Sequence, residues 1–149
     1  MRVLFLDIDG VLNSVAGWRR DFPTSVYYFT EECVKEFRRV LAEIPDLKIV
    51  VSSAWRVGRP VSQLKTILKD AQIEEERILD KTANNGETRG EEINAWLSEH
   101  PQVTKFCVVD DCTFDFGESL LPHTVKTNPE KGLTKEDADA IIAKLKFPI

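Results

Sequence analysis

Val3-Leu4-Phe5-Leu6-Asp7-Ile8-Asp9-Gly10-Val11 runs four apolar side chains straight into two carboxylates and a glycine. A short continuous apolar run without polar alternation reads as a strand buried on both faces, the kind found in parallel sheets covered by helices. Two further runs have the same form: Ile49-Val50-Val51 before Ser52-Ser53, and Phe106-Cys107-Val108-Val109 before Asp110-Asp111. Each ends on polar residues, so these ends are expected to converge.

Between the runs lie helical patterns. Thr30 is the expected N-cap of a helix carrying Val34, Phe37, Val40, Leu41 and Ile44 at spacings of three and four, stopped by Pro45. A second opens at Pro60, with Val61, Leu64, Ile67, Leu68 and Ala71 on one side. A third starts at Thr88-Arg89-Gly90-Glu91, which has capping-box spacing, and buries Ile93, Trp96 and Leu97. The last runs from Thr134 through Ala138, Ile141, Ile142 and Leu145. Strands alternating with helices imply an α/β, Rossmann-like three-layer sandwich with a mostly parallel central sheet. Ligands of such sheets bind beyond the carboxyl ends of the strands, which is where Asp7, Asp9, Ser52, Ser53, Asp110 and Asp111 fall.

The 149 residues suit a single domain spanning 1–149, with no repeat, linker or low-complexity tract to divide it. A formal charge of −5 argues against non-specific wrapping of nucleic acid, which needs a broad basic surface. The apolar start, Val3 to Leu6, is too short for a signal peptide or a membrane span, so a cytoplasmic location is expected. Cys33, Cys107 and Cys112 have no C-x-x-C spacing and read as reduced, mostly buried thiols.

Acids gathered at adjacent strand ends repel one another unless a cation lies among them, and hard oxygen donors suit Mg²⁺. A calcium loop starting at Asp7 is excluded, because its third ligand position is Val11 and its bidentate Glu position is Trp18.

These residues resemble the haloacid dehalogenase (HAD) superfamily of aspartate-nucleophile phosphatases in four ordered motifs spanning nearly the whole chain. Phe5-Leu6-Asp7-Ile8-Asp9-Gly10-Val11 resembles the first, with Val11 in place of the commoner Thr. Val50-Val51-Ser52 resembles the second, Arg89-Gly90 at a helix start the third, and Val108-Val109-Asp110-Asp111 the fourth. Ser52-Ser53-Ala54-Trp55-Arg56, Arg89-Gly90-Glu91-Glu92-Ile93 and the stretch from Lys126-Thr127 to Gly132-Leu133-Thr134 are similar to the phosphatase domain of RNA-repair proteins.

The resemblance implies a Mg²⁺-dependent phosphomonoester hydrolase working through an aspartyl-phosphate. Asp7 would be the nucleophile and Asp9 the acid that protonates the leaving alcohol and then activates water. Ser52 or its neighbour Ser53 would donate to a phosphoryl oxygen; on a straight strand the two are mutually exclusive. Arg89 would clamp the phosphate. Asp7, Asp110, Asp111 and the backbone carbonyl of Asp9 would hold Mg²⁺.

The segment 13–29, where the superfamily inserts cap domains, is too short for a folded lid and reads as a flap over an open site. Its Trp18, Arg19 and Arg20, with Arg56 after the second strand, are candidate substrate contacts for a polynucleotide end or a nucleotide. Trp55 and Trp96 are expected in the core, and His100 and His123 in structural or surface roles. Lys126 is a candidate to face the crevice. A nucleotide monophosphatase, a phospho-acceptor signalling domain and a non-catalytic binding module are the competing functions; the signalling domain would lack an acid at the Asp9 position.

Overall fold

The computed structural model describes residues 1–147. Five strands form one sheet in which every pairing is parallel: β1 (Arg2–Leu6), β2 (Lys48–Val51), β3 (Ile78–Lys81), β4 (Lys105–Asp110) and β5 (Thr124–Lys126), ordered β3-β2-β1-β4-β5. The apolar runs form the three central strands, as their lack of polar alternation requires. The edge strands β3 and β5 are short and more polar, and no apolar run announces them.

Alternation along β1 sends Leu4 and Leu6 to one side of the sheet and Val3 and Phe5 to the other. The first side is covered by α2 (Glu31–Glu43), α3 (Val61–Leu68) and α6 (Lys135–Lys146), which bury Phe37, Val40, Leu64 and Ile141 against it. The second is covered by α4 (Arg89–Ser98) and the short α5 (Gly117–Leu120), with Phe5 edge-on to Trp96 at 5.4 Å between ring centroids. The outcome is a three-layer α/β sandwich.

Local chemistry refines the expected helix ends. The reciprocal capping box occurs at Thr134 and Asp137, opening α6. At α4 the Thr88 hydroxyl accepts from the Glu91 amide and donates to the Glu91 carboxylate, so Glu91 does not reach back to the Thr88 amide. Thr30 is the N-cap of α2 by position, but its hydroxyl accepts from the Ser14 amide at 2.9 Å, tying α2 to the segment before it. That segment, residues 13–29, holds a two-turn helix, α1 (Val15–Asp21), followed by a loop.

Among the described residues no helix is long and apolar enough to cross a membrane. Cys33, Cys107 and Cys112 are all free thiols; the first two are buried and Cys112 is exposed.

Candidate active site

The chain steps from β1 outward to β2 and β3 and then returns to the other side of β1 for β4 and β5, so the order reverses between β1 and β4. An open parallel sheet is cleft at such a reversal, because the connections on either side leave in opposite directions. Asp7 and Asp110 lie at the lips of this cleft.

Ladder hydrogen bonds fix their level. The Asp7 amide donates to Val109 O at 3.1 Å, Ser52 to Leu6 O at 2.8 Å, Thr82 to Val51 O at 3.0 Å and Thr127 to Asp110 O at 3.0 Å. Alternation then decides which side chains meet. Val3 and Phe5 lead to Asp7, Val50 to Ser52 and Val108 to Asp110, all on the α4 side of the sheet. From that side the first residue of α4 completes the group: Arg89 Nη1 donates to Asp110 Oδ2 at 2.7 Å and lies 3.6 Å from Asp7 Oδ1.

One carboxylate oxygen each from Asp7, Asp110 and Asp111 lies within 4.8 Å of the others, with Asp7 and Asp110 buried. Burial, reinforced by the Asp110 charge, pushes the Asp7 carboxyl up to about 9 against the pull of Arg89. Burial raises Asp110 as well, although the Cys112 amide and Arg89 oppose it. One guanidinium leaves this anionic group under-compensated, and a hard divalent cation such as Mg²⁺ fits the donor set.

A pH dependence follows. In metal-free protein the folded Asp7 and Asp110 retain protons that the unfolded chain sheds near pH 4, so their contribution to stability is full below that pH and declines as pH rises, that of Asp7 until about pH 9. Melting temperature in a chelator should therefore fall from pH 5 to pH 8.5. Added Mg²⁺ should raise it most at the higher pH; equal gains at both would contradict this.

Gly10 sits against the same acids with φ of +80°, and a Cβ there would come within 2.4 Å of Asp111 Oδ2. Gly10→Ala should cost about 1–2 kcal/mol of stability from the left-handed backbone and displace Asp111. Calorimetric titration with Mg²⁺ should register weaker binding, and unchanged affinity would remove Asp111 from the cation's surroundings.

Asp9 stands apart. It is exposed, and its carboxylate accepts from Asn13 Nδ2 and from Trp55 Nε1, each at 3.0 Å. The Asp9 side chain does not join the trio, and the metal role expected of Asp9 rests on its backbone carbonyl alone. Trp55 is corrected. It is half-buried with its indole N–H aimed at Asp9, whereas Trp96 is a core residue whose N–H is answered by Asp80 at 2.8 Å.

The two serines separate. Ser53 Oγ accepts from the Trp55 amide at 3.2 Å, capping a single 3₁₀ turn, while Ser52 Oγ is buried without a partner. Thr82, just past the end of β3 and beside Ser52, likewise has a buried and unpaired hydroxyl. Unpaired buried hydroxyls are costly and mark places where an acceptor is expected.

Arg56 is corrected from substrate contact to internal clamp. Its guanidinium is 5% exposed and donates to Thr82 O, Ser53 O, Ala83 O and, at 2.8 Å, to the buried Glu92 carboxylate. Arg19 pairs with Glu130, and Arg20 with Asp21 and Glu32, so both flap arginines are already neutralised at the surface. Trp18 is 46% exposed and walls a cavity of about 340 Å³ shared with Asp9, Asn13, Tyr28, Asp111 and Pro129. Lys126 pairs in register with Asp110 and is exposed. His100 and His123 stack on Trp96 and Phe106, respectively.

Sequence reasoning gave no role to Asn13 or Thr82 and held Glu92 and Thr127 only within motif runs; the Thr127 hydroxyl donates to Gly10 O at 2.7 Å and pins the turn after Asp9. The available signal for Asn13 was its place three residues after the Asp9-Gly10 turn, where its amide oxygen accepts from Gly10 N at 2.9 Å.

No curated protein and no solved structure matches the chain. The family described as the HAD domain in Swiss Army Knife RNA repair proteins matches residues 3–138, a span that takes in every crevice residue from Asp7 to Thr127. With that match over most of its length, and with the strand-end acids gathered at the sheet reversal, the chain belongs to this family and so to the HAD superfamily.

Proposed function

We propose that the protein is a Mg²⁺-dependent phosphomonoesterase that forms an aspartyl-phosphate on Asp7 and acts on phosphorylated nucleic-acid ends or nucleotides. The observation that carries this reading is the division of labour among the acids. Asp7 is buried beside Arg89 within the carboxylate trio, while Asp9 is held outside it with its own hydrogen-bond partners.

Asp7, Asp110 and Asp111 would hold the Mg²⁺, with the Asp9 carbonyl as a further donor. When bound, the cation offsets the repulsion between the anionic nucleophile and the phosphoryl group. Arg89 and the Ser52 hydroxyl donate to phosphoryl oxygens and orient the group for in-line attack. An Asp7 oxygen bonds to phosphorus as the ester P–O bond breaks; the electron pair stays on the leaving oxygen, which takes the Asp9 proton. Asp9 then takes a proton from water as the water oxygen bonds to phosphorus. The Asp7–phosphorus bond breaks, returning the carboxylate and releasing phosphate.

The cavity beside Asp9 lies on the leaving-group side and offers the Trp18 ring, edge-on to Tyr28 at 5.8 Å, as a wall for a base. A second opening of about 400 Å³, lined by Thr88, Arg89, Asn84, Cys112 and Phe114, continues the crevice past Arg89 and favours an extended substrate. The pairing of Arg19 and Arg20 with acids favours the alternative of a mononucleotide, which brings no further phosphates to satisfy. Turnover of 3′- and 5′-phosphorylated oligonucleotides against mononucleotides decides between them. No phosphate release from any of these in Mg²⁺ would sink the enzyme reading.

A further inference from the structure

We propose that Trp55 is a positioning residue for proton transfer, its indole N–H acting with the Asn13 carboxamide to hold the Asp9 carboxylate on the leaving-group side of the crevice; this role depends on the phosphatase reading of the same site. A side chain that must meet a leaving oxygen cannot wander among rotamers, because a displacement of about 1 Å costs up to about 100-fold in rate. Asp9 is exposed, on a turn, and without packing of its own to fix it. Its two oxygens are instead fixed separately, Oδ1 by Asn13 Nδ2 and Oδ2 by Trp55 Nε1, both at 3.0 Å.

Both donors are themselves held. The Asn13 amide oxygen accepts from Gly10 N at 2.9 Å and its nitrogen also reaches Tyr28 O at 3.3 Å. The Trp55 ring rests against Tyr27 and Phe29, with centroids 5.5 and 5.7 Å away. Its backbone is gripped at both ends, by Ser53 Oγ on the amide and by Arg59 Nη1 on the carbonyl at 2.9 Å. Arg59 also donates to the Tyr27 hydroxyl at 3.2 Å, closing the support around the ring. Packing alone would be served by phenylalanine. The indole nitrogen is the one feature of Trp55 that addresses Asp9, reaching it across 46 positions in sequence. Each carboxylate oxygen has a second lone-pair site, so accepting these bonds still leaves one free on each oxygen to face the leaving group.

Trp55→Phe keeps the ring against Tyr27 and Phe29 and removes only the donor. An alkyl ester such as glycerol 2-phosphate needs its leaving oxygen protonated, whereas 4-nitrophenyl phosphate expels a stable anion unaided. The variant is expected to lose roughly tenfold or more in kcat/KM on the alkyl ester, a fraction of the 100- to 10,000-fold that general acid catalysis supplies, and less than about threefold on the aryl ester. The measure is kcat/KM because it reads only the steps through transfer to Asp7, before Asp9 acts on water in the step both esters share. Trp55→Leu, which also lacks a donor, serves the same comparison if the phenylalanine variant fails to fold. Equal losses on the two esters, or no loss on either, overturn the positioning role while leaving the phosphatase reading standing. Absence of turnover of both esters by the unaltered protein overturns the two together.

Discussion

Asp7→Asn is expected to lower phosphate release by at least about 1,000-fold, the scale seen when a nucleophile is removed, and at the same time to make the metal-free protein more stable. The amide is nearly isosteric with the carboxylate but has no charge and no competent nucleophile. Asp7 is buried within reach of Asp110 and Asp111, and burial with the Asp110 charge already drives it towards the protonated form. Removing that charge relieves the repulsion, so the melting temperature in a chelator should rise, most clearly above neutral pH. The Mg²⁺-induced rise should shrink in the same variant, because one hard donor is gone. Asp9→Asn should abolish turnover comparably without the stability gain, since Asp9 is exposed and outside the trio. Phosphate release and scanning calorimetry on the two variants separate these effects. Near-normal turnover in either would contradict its assigned role, and a destabilised Asp7→Asn protein would contradict the crowding.

Arg56→Met is expected to cost about 3–5 kcal/mol of folding stability, the usual consequence of stranding one member of a buried ion pair. Glu92 is 4% exposed and its carboxylate would be left without its cation. The same guanidinium joins three backbone carbonyls, Ser53, Thr82 and Ala83, to the first turn of α4. It therefore fixes the loop after β2 and the loop after β3 relative to Arg89. Against a total of about 5–15 kcal/mol for a domain of ordinary stability, this single change removes a large part. The double variant Arg56→Met/Glu92→Leu should recover much of the loss, because no charge is then stranded. Urea unfolding of the single and double variants measures both. A loss under about 1 kcal/mol in Arg56→Met would mean the pair behaves as a surface salt bridge. Activity should fall too, through displacement of Ser52 and Arg89 rather than loss of a substrate contact.

The central strands were legible because burial on both faces demands unbroken apolar runs, here ending on polar residues. The helices over α2, α4 and α6 were legible from apolar spacing, and their starts from the polar residue preceding each. The edge strand β3 and the helix α1 were not, and β5 only as a short strand leading to Lys126, since each is short and half-exposed and its pattern carries too few buried positions. In the site, Asp7, Asp9, Asp110 and Asp111 could be named from the runs they follow, and family resemblance gave Asp9 its role and added Arg89.

By itself, then, the amino-acid order determined which segments form the three central strands and that acids or serines stand at their ends. It determined this because solvent exclusion acts on consecutive side chains and is written in local pattern. Only the folded chain decided that Ser53 caps a turn while the Ser52 hydroxyl is left unpaired, that Arg56 faces inward to Glu92, and that the Trp55 N–H reaches Asp9. Those outcomes depend on sheet register and on partners 36 and 46 residues away, and directional hydrogen bonds between distant elements leave no periodic trace in sequence.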